Sequence, residues 1–281
     1  MAHALAGQDH RLDLHRARSA RRGAAAVTRR TGVAPADETL YTDARLVAVY
    51  DLFNAGDHDF AFYAARIGAA PQRILDIGCG TGTFARRLAA AGHDVVAIDP
   101  ASAMMDYARR QPGADAVRWI ACDLRDLPPG APFDAAVMTG HAFQCLLSDD
   151  AIDSTLHGVR RVLTSGGRFL FETRNPRLEP WRAWTPQQSA RRVDSPAFGA
   201  VELQHVSHAV EGPIVSFDTH YRFLRDDTRV THASRLRFIA QRELQARVAA
   251  AGFSAVEWYG DWQGASFDDA TSVEIIAICR V

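Results

Sequence analysis

Apolar residues recur along this chain in two rhythms, and their alternation predicts an architecture. Between residues 38 and 67 they fall three and four apart: Leu46, Val49, Tyr50 and Phe53, then Phe60, Tyr63 and Ile67. That spacing lines one stripe of a helix. Short apolar runs then follow at 73–77, 94–98, 116–121, 133–138 and 168–172. Helical patterning separates them over 83–91, 101–110 and 149–163, stopped by Gly92, Pro112 and the Gly166-Gly167 pair. Strands alternating with helices imply βαβ crossovers, and these imply a parallel sheet.

Past Asn175-Pro176 the rhythm changes. Residues 201–210, 214–224 and 229–239 read as successive strands. Val215, Phe217, Thr219, Tyr221 and Phe223 take one face, and Ser216, Asp218, His220 and Arg222 the other. A period of two marks antiparallel, half-exposed strands. A helix over 241–251, stopped by Gly252, and strands near 255–259 and 273–279 resume the first pattern. The expected fold class is α/β: a doubly wound, mostly parallel seven-stranded sheet with helices on both faces, plus an antiparallel β insertion. The expected divisions are an Arg-rich tail (1–36), N-terminal cap helices (37–70), a nucleotide-binding domain (71–176 and 240–281) and the β insertion (177–239).

Composition narrows the picture without naming a function. With 281 residues, 47% of them hydrophobic, the chain can fill a sizeable core. A net charge of −1 offers no global field for nucleic acid or anionic membrane. All 32 basic residues are Arg, which with abundant Ala suggests a GC-rich, bacterial source. Seven arginines crowd residues 1–36 among small residues, so that segment is expected to be a mobile tail. Cys79, Cys122, Cys145 and Cys279 lack metal-ligand spacing and read as small packed thiols of a reducing cytoplasm. No apolar stretch approaches the roughly 18 residues of a membrane span.

The chemistry begins at Leu75-Asp76-Ile77-Gly78-Cys79-Gly80-Thr81-Gly82. Glycines in a strand-to-helix turn let backbone N–H groups approach a ligand. The next strand is tipped by Asp99-Pro100, and a carboxylate there accepts two hydrogen bonds from a ribose diol. This much suits NAD as well as other nucleosides. Two details favour another cofactor. The glycines are spaced G-x-G-x-G rather than G-x-G-x-x-G. A second acid, Asp123, ends the third strand, where it can accept the adenine amine while Leu124 covers the ring. With Met104-Met105 and Arg161-Val162-Leu163 leading to Gly166-Gly167, these residues make the chain resemble the class I S-adenosylmethionine-dependent methyltransferases over about 38–174 and 240–281. The resemblance implies that Gly78 and Gly80 pass under the methionine part of the cofactor. It also implies that Asp76 orients that loop and the amino group, that Asp99 takes both ribose hydroxyls, and that Met104 packs on adenine. Pro100, Thr139 and Tyr50 are expected in the same pocket, Tyr50 from a helix closing over it; Tyr41 lies on the same segment.

Methyl transfer from a sulfonium is an in-line displacement, so the protein mainly aligns the partners and excludes water. A hydroxyl nucleophile also needs a base; an amine need only arrive neutral. The fourth strand ends at Met138-Thr139-Gly140-His141, and His141 is the expected catalytic base or orienting group, with Gln144 its candidate partner. No adenine- or cytosine-modifying motif follows this tip, and basic patches are absent from the body of the chain. The expected acceptor is a small organic molecule methylated on O or N, not nucleic acid, in a cytoplasmic monomer or homodimer. The resemblance makes the β insertion a lid over the acceptor. Its His205, His208, His220 and His232 fit no metal site and read as solvated or substrate-facing. The alternative is a protein that binds S-adenosylmethionine without transferring its methyl group.

Overall fold

The computed structural model describes residues 39–281 apart from 55 and 57; the expected tail at 1–36 lies outside the described residues. Three helices lead in: α1 (Thr39–Thr42), α2 (Ala44–Phe53) and α3 (His58–Ile67). Asp43 starts α2, its carboxylate accepting from the N–H groups of Arg45 and Leu46. The alternating unit then runs β1 (Arg73–Ile77), α4 (Thr83–Ala90), β2 (Asp94–Ile98), α5 (Ser102–Ala108), β3 (Val117–Ile120), β4 (Phe133–Met138), α6 (Asp149–Val162) and β5 (Leu163–Arg174). After the insertion come α8 (Gln241–Ala250), β10 (Ala255–Tyr259) and β11 (Glu274–Arg280).

These strands form one seven-stranded sheet in the order β10-β11-β5-β4-β1-β2-β3. β11 runs antiparallel to both its neighbours; the other pairings are parallel. The chain winds outward both ways from β1 and β4, so the crevice beyond their C-terminal ends is the switch point at which such sheets bind ligands. Two apolar layers cover the sheet. One gathers Leu156, Val159, Phe169, Phe171 and Leu244; the other gathers Tyr63, Phe84, Leu88 and Ile276.

The insertion comprises α7 (Pro186–Ser189) and a second, antiparallel sheet of β6 (Arg191–Ser195), β7 (Gly199–Glu211), β8 (Ile214–Phe223) and β9 (Thr228–Arg237). It has four strands where the pattern predicts three. β6 holds one apolar residue, Val193, and escapes the period-two signal as an edge strand. The expected inward face of β8 is buried from Val215 to Phe223. Against it packs α2, through Leu46, Val49 and Phe53 onto Val201, Leu203, Tyr221 and Phe223. α2 thereby joins the insertion to the body of the fold. Gly166-Gly167, expected to end a helix, sit instead inside β5, where the register against β4 jumps from Phe133↔Leu163 to Ala135↔Arg168.

Candidate active site

Asp76 is the fourth residue of β1 and is 1% exposed. Neither oxygen of its carboxylate has a hydrogen-bond partner among the described residues. Burial, then the charge of Asp99, pushes its pKa up to about 7; the Ala85 amide at the start of α4 opposes this without closing a hydrogen bond. A buried acceptor without donors is costly. Its chemistry suits a cation that brings its own N–H groups.

The glycine turn that follows is tied to the end of β2. The N–H groups of Gly78 and Cys79 donate to the Ile98 carbonyl at 2.8 and 3.1 Å. Asp99 holds the other side: Oδ2 accepts from the Gly80 N–H and Oδ1 from the Ala101 N–H, both at 2.8 Å. Burial raises the Asp99 pKa against the pull of these two amides. Each carboxylate oxygen has two lone pairs, so both keep room for a further donor such as a hydroxyl. The glycines serve different ends. Gly80 takes φ 54° and a Cβ there would meet open space, which leaves its backbone approachable. At Gly82 a Cβ would come within 2.3 Å of the Trp119 ring, so this third glycine is required by packing.

Asp51 of α2 reaches the same turn, a contact the sequence reading did not contain. Its oxygens accept from the hydroxyls of Thr81 and Thr83 at 2.6 and 3.2 Å. This pins α2 to the glycine turn and sets the neighbouring Tyr50, whose phenol burial holds above its usual pKa, beside it. Met104 is buried in α5, 1% exposed, and the next residue's Sδ lies 3.6 Å from Cys79 Sγ. Pro100 is exposed at the tip of β2. Asp123 is engaged locally. Its hydrogen bonds run through Oδ1 to the Arg125 N–H and Nε at 3.0 and 3.1 Å, where it caps a 3-10 turn begun by the buried Leu124. Burial works against ionisation there, and the Arg125 contacts outweigh it to hold the pKa low.

On the other side of the switch point, Thr139 and Gly140 carry the chain from β4 to His141, which adopts the left-handed conformation at φ 59°. Glu172, wholly buried in β5, fixes that turn by accepting the His141 N–H at 2.6 Å and the Tyr63 hydroxyl. The imidazole Nε2 meets Glu274 Oε2 at 2.9 Å. Gln144, the expected partner of His141, is instead turned inward by the 3-10 turn Ala142–Cys145, donating to the Arg237 carbonyl and accepting from Arg174. Glu274 opens β11, far along the chain, and no local pattern marks it.

His141 lines a cavity of about 450 Å³ between the sheet and the insertion. Tyr41, Tyr50, Arg174, Trp184, His205 and Tyr221 share its wall. Cys145, expected within the packing, is exposed and lines this cavity; all four cysteines are free. The four histidines of the insertion diverge. His205 faces the cavity and bonds Thr219 at 2.9 Å; His232 is buried beside Tyr41; His208 pairs with Asp218, and His220 with Thr231. Among the described residues no three His, Cys, Asp or Glu side chains are grouped to hold a metal ion.

Residues 74–167 match the family model described as a methyltransferase domain. The chain is 34% identical over 114 residues to the biotin biosynthesis bifunctional protein BioHC of Cellvibrio japonicus, a match covering 40% of this chain and 22% of that protein. A longer match, 26% identical over 227 residues, is to a dTDP-3-amino-3,6-dideoxy-alpha-D-glucopyranose N,N-dimethyltransferase of Streptomyces fradiae, covering 74% of this chain and 84% of that one. The chain spans half or less of the length of the first three curated relatives it matches. Among solved structures, the CcbJ methyltransferase of Streptomyces caelestis superposes with a TM-score of 0.68 at 21% identity, covering 87% of this chain and 99% of that one, a likeness of fold.

Proposed function

We propose that this protein binds S-adenosylmethionine and transfers its methyl group to an O or N atom of a small organic acceptor; the match of residues 74–167 to a methyltransferase-domain model and the likeness of fold to a solved methyltransferase support the reading. The observation that carries the reading is the pairing across the switch point of an unpartnered buried carboxylate, Asp76, with a cavity-lining histidine, His141, braced by Glu274. Bound at the glycine turn, S-adenosylmethionine supplies a methyl group on a cationic sulfur whose leaving group is already activated. Asp76 receives the cofactor's ammonium, Gly78 and Gly80 pass beneath its methionine part, and Asp99 takes the ribose hydroxyls with Pro100 beside them. Met104 and Leu124 flank the adenine, and Asp123 accepts its amine through the oxygen that Arg125 leaves unused. Tyr50 and Thr139 close the methionine end.

The insertion and α2 act as the lid of the cavity and exclude water from the transfer. His141 orients the acceptor and takes its proton, with Glu274 holding the imidazole in place. Both nitrogen and oxygen acceptors fit this arrangement, since an amine needs only the orientation. We read the protein as bacterial and cytoplasmic, a monomer or homodimer, with no part in binding nucleic acid or membrane. The free cysteines and the near-neutral charge support the reading; among the described residues no helix is long and apolar enough to cross a membrane. Calorimetry with S-adenosylmethionine and with NADH tests the cofactor; tighter NADH binding overturns the reading. Formation of S-adenosylhomocysteine with a panel of amine and hydroxyl acceptors separates transfer from binding without transfer.

A further inference from the structure

The cavity wall carries two guanidinium groups and two imidazoles, and no carboxylate. Arg174, Arg191, His141 and His205 line it, and none of its lining residues is Asp or Glu. Arg174 ends β5 on the sheet side. Its Nη1 donates to the neutral Gln144 Oε1 at 2.8 Å, and its guanidinium lies 5.9 Å from the Trp184 ring. Its cross-strand neighbour is Glu274, but that carboxylate is engaged by His141, while the nearby Glu172 faces Tyr63 and the His141 amide. Burial disfavours the charge that Arg174 must carry, and the nearby carboxylates of Glu274 and Glu172 offset this only in part. Arg191 opens β6 on the lid side, with Nη1 donating to the Phe53 carbonyl at 2.8 Å. Neither guanidinium forms an ion pair among the described residues. By contrast Arg237 and Arg247, away from the cavity, are each matched to two or more acids. Both guanidinia line the same cavity as His205; burial, then Arg191, then Arg174, depress the pKa of that imidazole to about 4.

A buried guanidinium such as that of Arg174, whose neighbouring carboxylates are committed to other partners, is incompletely compensated, and the planar fork of an arginine matches the two oxygens of a carboxylate or phosphate. We propose that the acceptor carries such an anionic group, seated between Arg174 on the sheet and Arg191 on the lid, with the methyl-accepting atom turned toward His141. The proposal rests on the methyltransferase reading above and adds its substrate class. The anion would also join the lid to the sheet, since the two arginines come from different sheets.

The test uses the full chain saturated with S-adenosylhomocysteine, titrated by calorimetry with malonate, with pyrophosphate and with neutral glycerol as control. Saturable binding of malonate or pyrophosphate but not glycerol is expected, and the tighter anion identifies the carboxylate or phosphate source. Arg191→Gln, at an exposed position that should not disturb folding, should weaken that binding at least tenfold, and Arg174→Gln should do the same, with circular dichroism checking the fold. Absence of anion binding, or anion binding indifferent to Arg191→Gln, overturns the proposal. Failure of S-adenosylhomocysteine itself to bind would instead strike the underlying methyltransferase reading, so the two failures are separable.

Discussion

The two walls of the site carry opposite charge and are assembled in different ways. The glycine-turn wall is acidic: Asp51, Asp76 and Asp99 converge on it, two of them held by backbone amides or hydroxyls of the turn and one left unpartnered. The cavity wall is aromatic and cationic, with Trp184, Tyr221 and Arg191 from the insertion, Arg174 from the end of β5, and no acid. The first wall is drawn from a compact stretch of the chain around a single strand–turn–helix unit. The second takes residues from β5, β6, β7 and β8 and the segment before α7. A fixed cationic cofactor can be met by a preformed turn, while an acceptor requires a surface that varies independently of that turn. His141 lies where the two walls meet, tied to the sheet through Glu172 and Glu274.

The sharpest way to break the acidic wall is Asp99→Ala. On the proposed placement it would remove two charge-assisted hydrogen bonds to a ribose, each worth about 1.5–3 kcal/mol, and it frees the Gly80 and Ala101 amides. Affinity for S-adenosylmethionine is expected to fall more than about a hundredfold; an unchanged dissociation constant in calorimetry would remove Asp99 from the cofactor site. The boundary is tested next by His141→Ala. Turnover should fall by about a hundredfold with a hydroxyl acceptor, the scale of general-base catalysis. Cofactor affinity should stay within a few-fold; unaffected kcat would make His141 a purely structural element.

Asp76 gives the third test, through stability. Its pKa is about 7 in the folded protein against 3.8 in a free chain, so between those values the folded state holds a proton that the unfolded state has lost. Stability of the cofactor-free protein therefore declines as pH rises from about 4 to 7, and above 7 the ionised group imposes its full penalty. Asp76→Asn removes that penalty but leaves a buried amide. A net gain of about 2 kcal/mol is expected in urea unfolding at pH 8, with none at pH 4. The same variant should bind S-adenosylmethionine more weakly. A variant no more stable than the parent at pH 8 would mean that Asp76 has a partner in solution.

How much of this could be read beforehand follows the same division. Asp76, the glycines and Asp99 were legible because a parallel sheet delivers its strand tips to one edge, whatever the rest of the chain does. The position of His141 just past a strand tip was legible for the same reason, but its partner was not. Glu274 arrives only because β11 enters antiparallel beside β5, a pairing between segments about a hundred residues apart that no periodicity encodes. Gln144 was the nearer candidate, and a 3-10 turn carries it into the interior. The lid strands showed their alternation except β6, whose sequence Arg-Arg-Val-Asp-Ser has too few apolar residues to mark a face. Arg191, which lines the cavity, lies on that strand. Asp123 illustrates the converse: its position suggests a ligand contact, while its side chain is already committed in part to Arg125 two residues on.

The smallest expected effect tests whether the walls are mechanically joined. Asp51 is the link, because α2 packs its apolar side on the lid sheet while its carboxylate holds Thr81 and Thr83 of the glycine turn. Asp51→Asn preserves the size of the side chain. It can still accept from one hydroxyl but loses the charge-assisted component of two hydrogen bonds, so a loss of about 1 kcal/mol is expected. If α2 transmits that loss, KM should rise by about fivefold both for S-adenosylmethionine and for the acceptor. If the turn alone loosens, only the cofactor's KM should rise. Steady-state kinetics varying each substrate in turn distinguishes the cases, with Thr83→Val, which removes the longer of the two contacts, giving the same pattern at smaller amplitude. Parallel changes in both constants are the expected result, since the helix that carries Tyr50 cannot move away from the turn without drawing Leu46, Val49 and Phe53 across the inner face of the lid.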